Sequence, residues 1–500
     1  MITPSYAEFE RLSKKGNLIA LKREILADLE TPVSVFRKFP ESGSRFLLES
    51  VENGEQLGRF SFIGANPFLS FKAHGGVQTI TTEHEELRVP LAANPMDTFR
   101  ALMAQFHPVQ DSTLPPFSGG AVGLMSYDSV RFFEAIPNSN ADDLGIPELY
   151  FLIADSLVAF DHVKRRMLLI VNAWVRKGGD LRRTYDQAVK KLNRLYETVC
   201  GRDPERPDPT ASKIQLKLKT DVQVVTSNIG EERFLEAAAK AKEYIGIGDI
   251  FQVVLSQRLT TELQCDPFDL YRALRAVNPS PYMFFLDCED FKLAGSSPEI
   301  LVRSRHGKVE LRPIAGTRPR GATPEEDVEL EKDLLADEKE VAEHIMLVDL
   351  GRNDVGRVAQ YGSVKVTDLQ VIERYSHVMH IVSNVEGKLA DNKDAFDVLA
   401  ASFPAGTLTG APKIRAMEII DELEPTRRGS YGGSVVYIDF SGNMDSCIVI
   451  RTALIKDGLV HVQAGAGIVA DSVPEKEWEE TLNKARGVLR AVEWANSGLE

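Results

Sequence analysis

The chain has 500 residues, 43% of them hydrophobic and 26% charged, and a formal net charge of −14. That composition is globular, and the length suits two or three ordinary domains or one large one with ample core. The acidic balance excludes a general affinity for nucleic acid or membrane surfaces, so an anionic ligand needs a local cluster of arginine, lysine or metal.

Cys200, Cys265, Cys288 and Cys447 form no C-x-x-C pair and are too few for a disulfide scaffold, which predicts a reduced, cytoplasmic chain without a zinc ribbon. The first ten residues carry early acids and no apolar core, unlike a secretory signal. The longest apolar stretch, 149–160, is interrupted by Asp155 and is too short to span a bilayer.

In chain order, Thr31-Pro32 reads as a capped helix start. Residues 46–51, 60–64 and 149–159 read as short strands, and 180–199 as a long amphipathic helix. Residues 200–219 hold Pro204, Pro207 and Pro209 among charged residues, a composition break. The division expected from it is a region 1–205, a linker 206–224 and a region 225–500. Beyond it, 231–245 predicts a helix ending at Gly246, 249–259 a strand, and 333–349 a helix. Residues 447–455 and 460–464 predict strands, and 474–495 a final helix opened by proline and acids. There is no internal repeat and no regular βαβ alternation, which disfavours doubly wound and barrel folds. The expected class is α+β: large antiparallel or mixed sheets packed as a sandwich, with helices outside.

Several residues invite chemistry. Arg451 sits in an apolar run and needs a partner, either a core carboxylate or the carboxylate of a ligand. Gly465, Ala466 and Gly467 end the 460–464 run, where glycine marks either a bulge or a close backbone approach; Tyr431-Gly432-Gly433 carries the same ambiguity. Glu340 and Glu343 share one predicted helix and Glu480, a turn before Lys484, another; they are either solvated acids or carboxylates for a hard cation such as magnesium. Glu299 enters an apolar strand after Ser296-Ser297-Pro298, as an acid of raised pKa or as a strand-edge acid facing water. His380 lies on an apolar run, where a core histidine competes with a catalyst. Arg312, Arg318 and Arg320 make a basic loop around 314–317.

Taken in order, the stretches 249–258, 295–299, 313–317 and 343–349 resemble the chorismate-utilising enzymes, and Arg352-Asn353-Asp354 and the stretches 378–380, 410–413, 429–433 and 463–467 continue the pattern. With Leu47-Leu48-Glu49-Ser50, the chain is similar nearly end to end to the anthranilate synthase large subunits among them. The resemblance implies the chorismate-utilising enzyme fold and a lyase activity: chorismate and ammonia become anthranilate and pyruvate through 2-amino-2-deoxyisochorismate, with feedback inhibition by L-tryptophan. It implies Mg²⁺ held by Glu343 and Glu480 with Glu340 nearby, and chorismate bound by Gly316, Thr317, Tyr431, Arg451, Gly465, Ala466, Gly467 and Lys484. Glu299, His380 and Thr317 fall on its catalytic positions, and Glu49, Ser50, Asn278, Pro281, Tyr282 and Met283 on its tryptophan site. Relatives that make isochorismate or salicylate place a lysine where Gln252 stands, and aminodeoxychorismate synthases commonly place one at Ala315; neither residue here supplies an amine. A non-catalytic tryptophan sensor is the alternative of another class. None of the four cysteines lies on a glycine-flanked elbow, which implies ammonia from a separate glutamine amidotransferase subunit; the resemblance implies a heterotetramer of two large and two small subunits.

Overall fold

The computed structural model describes residues 2–50, 58–201, 225–374 and 378–499. Two twelve-stranded sheets dominate it, and every strand pairing within them is antiparallel. Each sheet takes strands from both sides of residue 225: Arg45–Glu49 pairs with Tyr282–Asp287 in one, and Gly120–Met125 pairs with Ser434–Asp439 in the other. The expected linker, 206–224, lies outside the described residues.

Three apolar layers hold this arrangement. Phe46, Phe62, Leu124, Leu152 and Phe284 fill the space between the sheets. Helices Leu181–Cys200, Pro267–Val277 and Pro474–Asn496 cover the outer face of the first sheet through residues such as Leu192, Tyr271 and Val488. Helices Pro95–Met103, Glu338–Gly356 and Ala395–Ser402 cover the second through Phe99, Val348 and Leu399. The α+β sandwich with helices outside is therefore present.

The chain changes sheet between consecutive strands at points that the apolar patterning conceals. The run 149–159 is two strands, Leu149–Ala154 and Ser156–Asp161, in different sheets. Asp155 is the corner, with its carboxylate 2.6 Å from Lys191 Nζ. The run 447–455 likewise splits into Met444–Ile448 and Thr452–Lys456, with Arg451 at the corner in a left-handed backbone (φ 51°). The expected helix 333–349 is also two, Pro324–Ala336 and Glu338–Gly356, because Asp337 caps the second by accepting from the Lys339 and Glu340 amides. The helix Glu231–Gly246 runs through Gly246, and the left-handed residue follows at Gly248 (φ 88°). The predicted helices at 32, 180–199 and 474–495 and the strand at 60–64 stand within a residue or two of their expected bounds.

Candidate active site

Two sheet-to-sheet crossings lie side by side. Strand Lys292–Ser297 leaves the first sheet and re-emerges as Ile300–Arg305 in the second, while Met444–Ile448 passes the other way into Thr452–Lys456. The backbones interlock: the Ser296 amide donates to Arg451 O (3.2 Å) and the Ile448 amide to Glu299 O (3.0 Å). Glu299 and Arg451 thus occupy the two corners where the sheets part, neither of them inside a strand. Here the sandwich must open, and the candidate residues gather around the opening.

Glu299 Oε1 accepts a hydrogen bond from Thr407 Oγ1 at 2.9 Å. Burial pushes its carboxyl up to about 7, against the opposing effects of Thr407 and Lys484. A half-buried carboxyl held by a threonine hydroxyl fits an acid of raised pKa better than a strand-edge acid facing water. Thr407 belongs to the short turn Gly406–Leu408 and carried no sequence signal beyond a glycine- and threonine-rich loop.

On the second sheet, strand Ile314–Pro319 bulges against Val378–Lys388 between Ala315 and Thr317. Gly316 takes φ 71° there, a conformation that suits glycine. Its carbonyl and the Thr317 hydroxyl both lie 3.0 Å from His380 Nδ1. A carbonyl only accepts, so Nδ1 carries the proton and the imidazole lone pair sits on Nε2. Burial lowers the His380 pKa, which keeps the ring neutral at pH 7 and suits it to accept a proton. These hydrogen bonds would suit a satisfied core histidine as well as a positioned base, and the bulge that also presents Thr317 is what ties the ring to the candidate site.

On the first sheet, strand Leu459–Ile468 pairs without interruption with Gln252–Glu262, so its glycines make no bulge. They make close approaches. A Cβ on Gly465 would lie 2.7 Å from Tyr431 Oη, and one on Gly467 would lie 2.6 Å from Gln252 Nε2. The strand on the opposite side, Thr452–Lys456, pairs only as far as Ala453 with Val462. Beyond that point the backbone of 463–468 keeps an edge with no strand on it among the described residues, and Lys484 Nζ reaches Gly465 O there (3.0 Å). Ala466 points to the other face and offers this edge only its backbone. Arg451 Nη1 donates to Lys484 O at 2.6 Å, and burial lowers its pKa. Tyr431 is buried, which raises its phenol pKa.

Helix Glu338–Gly356 spans from one wall to the other. Glu340, in its first turn, lies 3.3 Å from a Gly316 Cβ position, and Glu343 accepts from Gln252 Nε2 at 3.1 Å. Burial first, and the charge of Glu343 second, raise the Glu340 pKa. Glu480 pairs with Lys484 at 2.6 Å. Among the described residues no three His, Cys, Asp or Glu side chains converge as the ligands of a metal cage. A carboxylate pair under mutual repulsion beside an open backbone edge fits instead a hard cation with few protein ligands, its other positions left to water and ligand oxygens. Of the basic loop, Arg318 is paired with Asp333 (2.6 Å) and Asp337 (2.8 Å), so it serves helix packing.

The six residues of the expected inhibitor site meet at one end of a strand pair, with Glu49 opposite Met283, but on both of its faces. Glu49 accepts from Tyr271 Oη (2.5 Å) and Arg275 Nε (3.1 Å), while Tyr282 Oη donates to Asp445 (3.1 Å). Asn278 Nδ2 donates to Ser296 Oγ (3.2 Å), and Pro281 and Met283 are buried. Ser50 Oγ is enclosed and has no hydrogen-bond partner among the described residues.

Comparison with known proteins bears on this geometry. The family described as chorismate binding enzyme matches residues 43–490. Anthranilate synthase component 1 of Acetivibrio thermocellus is 50% identical over 495 residues, covering 99% of each chain. That of Aquifex aeolicus is 47% identical over 504 residues, again covering 99% of each. The crystal structure of anthranilate synthase component I from Streptococcus pneumoniae superposes with a TM-score of 0.75 at 36% identity, covering 93% of this chain and 98% of that one. The menaquinone-specific isochorismate synthase of Escherichia coli shares the fold (TM-score 0.70) at 18% identity, over 98% of this chain and 100% of that one.

Proposed function

The chain belongs to the chorismate binding enzyme family, and on that premise we propose that it is the chorismate-converting subunit of an anthranilate synthase. It turns chorismate and ammonia into anthranilate and pyruvate, the entry step of tryptophan biosynthesis. The observation that carries this reading is the acid at the crossing: a carboxyl hydrogen-bonded by Thr407, near the charge of Lys484, and pushed up to about 7 by burial.

Chorismate is a dianion. In this reading Arg451 and Tyr431 receive one carboxylate, and the 465–467 edge with Lys484 receives the ring end of the molecule. Magnesium, when bound through Glu343 and Glu480 with Glu340 beside them, supplies positive charge for the ring carboxylate. Glu299 donates its proton to the departing ring hydroxyl as ammonia adds beside the carboxylate-bearing carbon, giving 2-amino-2-deoxyisochorismate and water. His380, neutral and with its lone pair on Nε2, takes a ring proton as pyruvate leaves and the ring becomes aromatic. Thr317 accepts from His380 Nδ1, which leaves its own hydroxyl proton for the substrate.

Gln252 supports amination over hydration. Its amide is committed to Glu343 and cannot take a proton from water as a lysine could. Component 1 relatives imply a second component, and we assign it glutamine hydrolysis and ammonia delivery, in a cytoplasmic heterotetramer of two large and two small subunits. L-Tryptophan is the inhibitor, bound where the enclosed Ser50 hydroxyl lacks a partner among the described residues. The test is turnover: purified chain with chorismate, an ammonium salt and magnesium should generate anthranilate fluorescence that disappears on chelation. A chain that binds tryptophan and never turns over chorismate is the sensor instead.

A further inference from the structure

Beneath the site lies a buried ion pair that the chemistry above does not use. Arg428 and Glu424 are 2% and 4% exposed. The guanidinium binds the carboxylate through both Nε (2.9 Å) and Nη2 (2.6 Å). Its remaining donors reach two other segments, Nη1 to Leu408 O (2.7 Å) and Nη2 to Val254 O (2.7 Å). Its face lies over the rings of Tyr127 (4.7 Å) and Tyr431 (5.4 Å). Glu424 Oε1 also accepts from the Ser256 amide (2.9 Å) and hydroxyl (2.7 Å), and Gln463 Nε2 donates to that hydroxyl (2.8 Å).

Each segment so tied carries one part of the site. Leu408 follows Thr407, which holds Glu299. Val254 and Ser256 are the register partners of Gly467 and Gly465. Tyr431 lines the carboxylate end. We propose that Arg428 and Glu424 are positioning residues, a rigid fork that fixes the acid, the glycine edge and Tyr431 at one mutual spacing. A buried ion pair seldom adds stability over a well-packed apolar core, so its retention under three converging parts of a site is better explained by the geometry it imposes. Arginine suits the task because its planar fork holds several acceptors at once, which a lysine ammonium does not.

The claim rests on the functional reading above, and the test separates the two. Parent chain, Arg428→Lys and Glu424→Gln are assayed with chorismate, ammonium and magnesium, and each is melted. A parent without turnover defeats the functional reading, and the positioning claim with it. With an active parent, the fork predicts that folded Arg428→Lys loses tenfold or more in kcat/KM, through both a raised chorismate KM and a lowered kcat, and that Glu424→Gln does the same. A purely structural pair predicts activity falling in proportion to the folded fraction at unchanged KM. That result, complete unfolding of both variants, or parental kcat/KM in either folded variant overturns the proposal.

Discussion

Replacing Glu299 by glutamine keeps the shape of the side chain and removes its proton equilibrium. Raising a carboxyl from 4.5 to about 7 corresponds to about 3 kcal/mol, at about 1.4 kcal/mol per pH unit. The sign follows from where the proton sits. Below about pH 4.5 the group is protonated in both folded and unfolded chains and imposes no penalty. As pH rises, the unfolded chain releases the proton first, so the stability linked to this group is lost progressively and is gone above about pH 7. Glutamine carries no such dependence. Glu299→Gln should therefore gain stability relative to the parent as pH rises, by about 2–3 kcal/mol between about pH 5 and about pH 8. Urea unfolding midpoints of the two proteins at both pH values measure this directly. The same variant should lose about 10²- to 10⁴-fold in turnover, with neither anthranilate nor the aminated intermediate formed. A stability difference that does not change with pH would show that the carboxyl ionises normally, and near-parental turnover would remove it from acid catalysis.

Glu343→Gln and Glu480→Gln should each cost about tenfold or more in turnover, recovered in part at high magnesium, with melting temperatures near parental; normal activity at low magnesium would strike that residue from the ligand set. His380→Met should stop the second half of the reaction more than the first, so that mass analysis finds the aminated, non-aromatic intermediate with little pyruvate; equal loss of both steps in a destabilised protein would return His380 to a packing role. Ser50→Phe should place a bulky ring where the buried hydroxyl lies and abolish inhibition by tryptophan while turnover survives, and a retained inhibition curve would place the inhibitor elsewhere.

The local signals in the sequence carried far, and they failed where the two sheets exchange strands. The capped start at Thr31-Pro32, the amphipathic pattern of 180–199 and the proline at Pro474 announced helices that the structure contains. The run 447–455 hid a corner because both of its strands are buried, so apolar residues flank Arg451 and Thr452 on both sides and no alternation marks the turn. Arg451 consequently looked like a charge trapped in a strand, when it is the corner itself. Glu299 was legible as unusual because Pro298 and two serines interrupt the apolar pattern just before it. The choice between bulge and close approach at Gly465 and Gly467 needed the register with Gln252–Glu262. The Arg428–Glu424 fork could not be seen in the sequence, because its other partners come from segments far away along the chain.

The central claim is the identity of the nucleophile. The purified chain alone is given chorismate and magnesium, with ammonium, with glutamine or with neither, and the products are identified by mass. The account predicts anthranilate and pyruvate in equal amounts with ammonium, and no product from glutamine or from water. Isochorismate or salicylate in the absence of ammonium, a 4-amino product that retains the enolpyruvyl group, or anthranilate from glutamine without a partner subunit would contradict it.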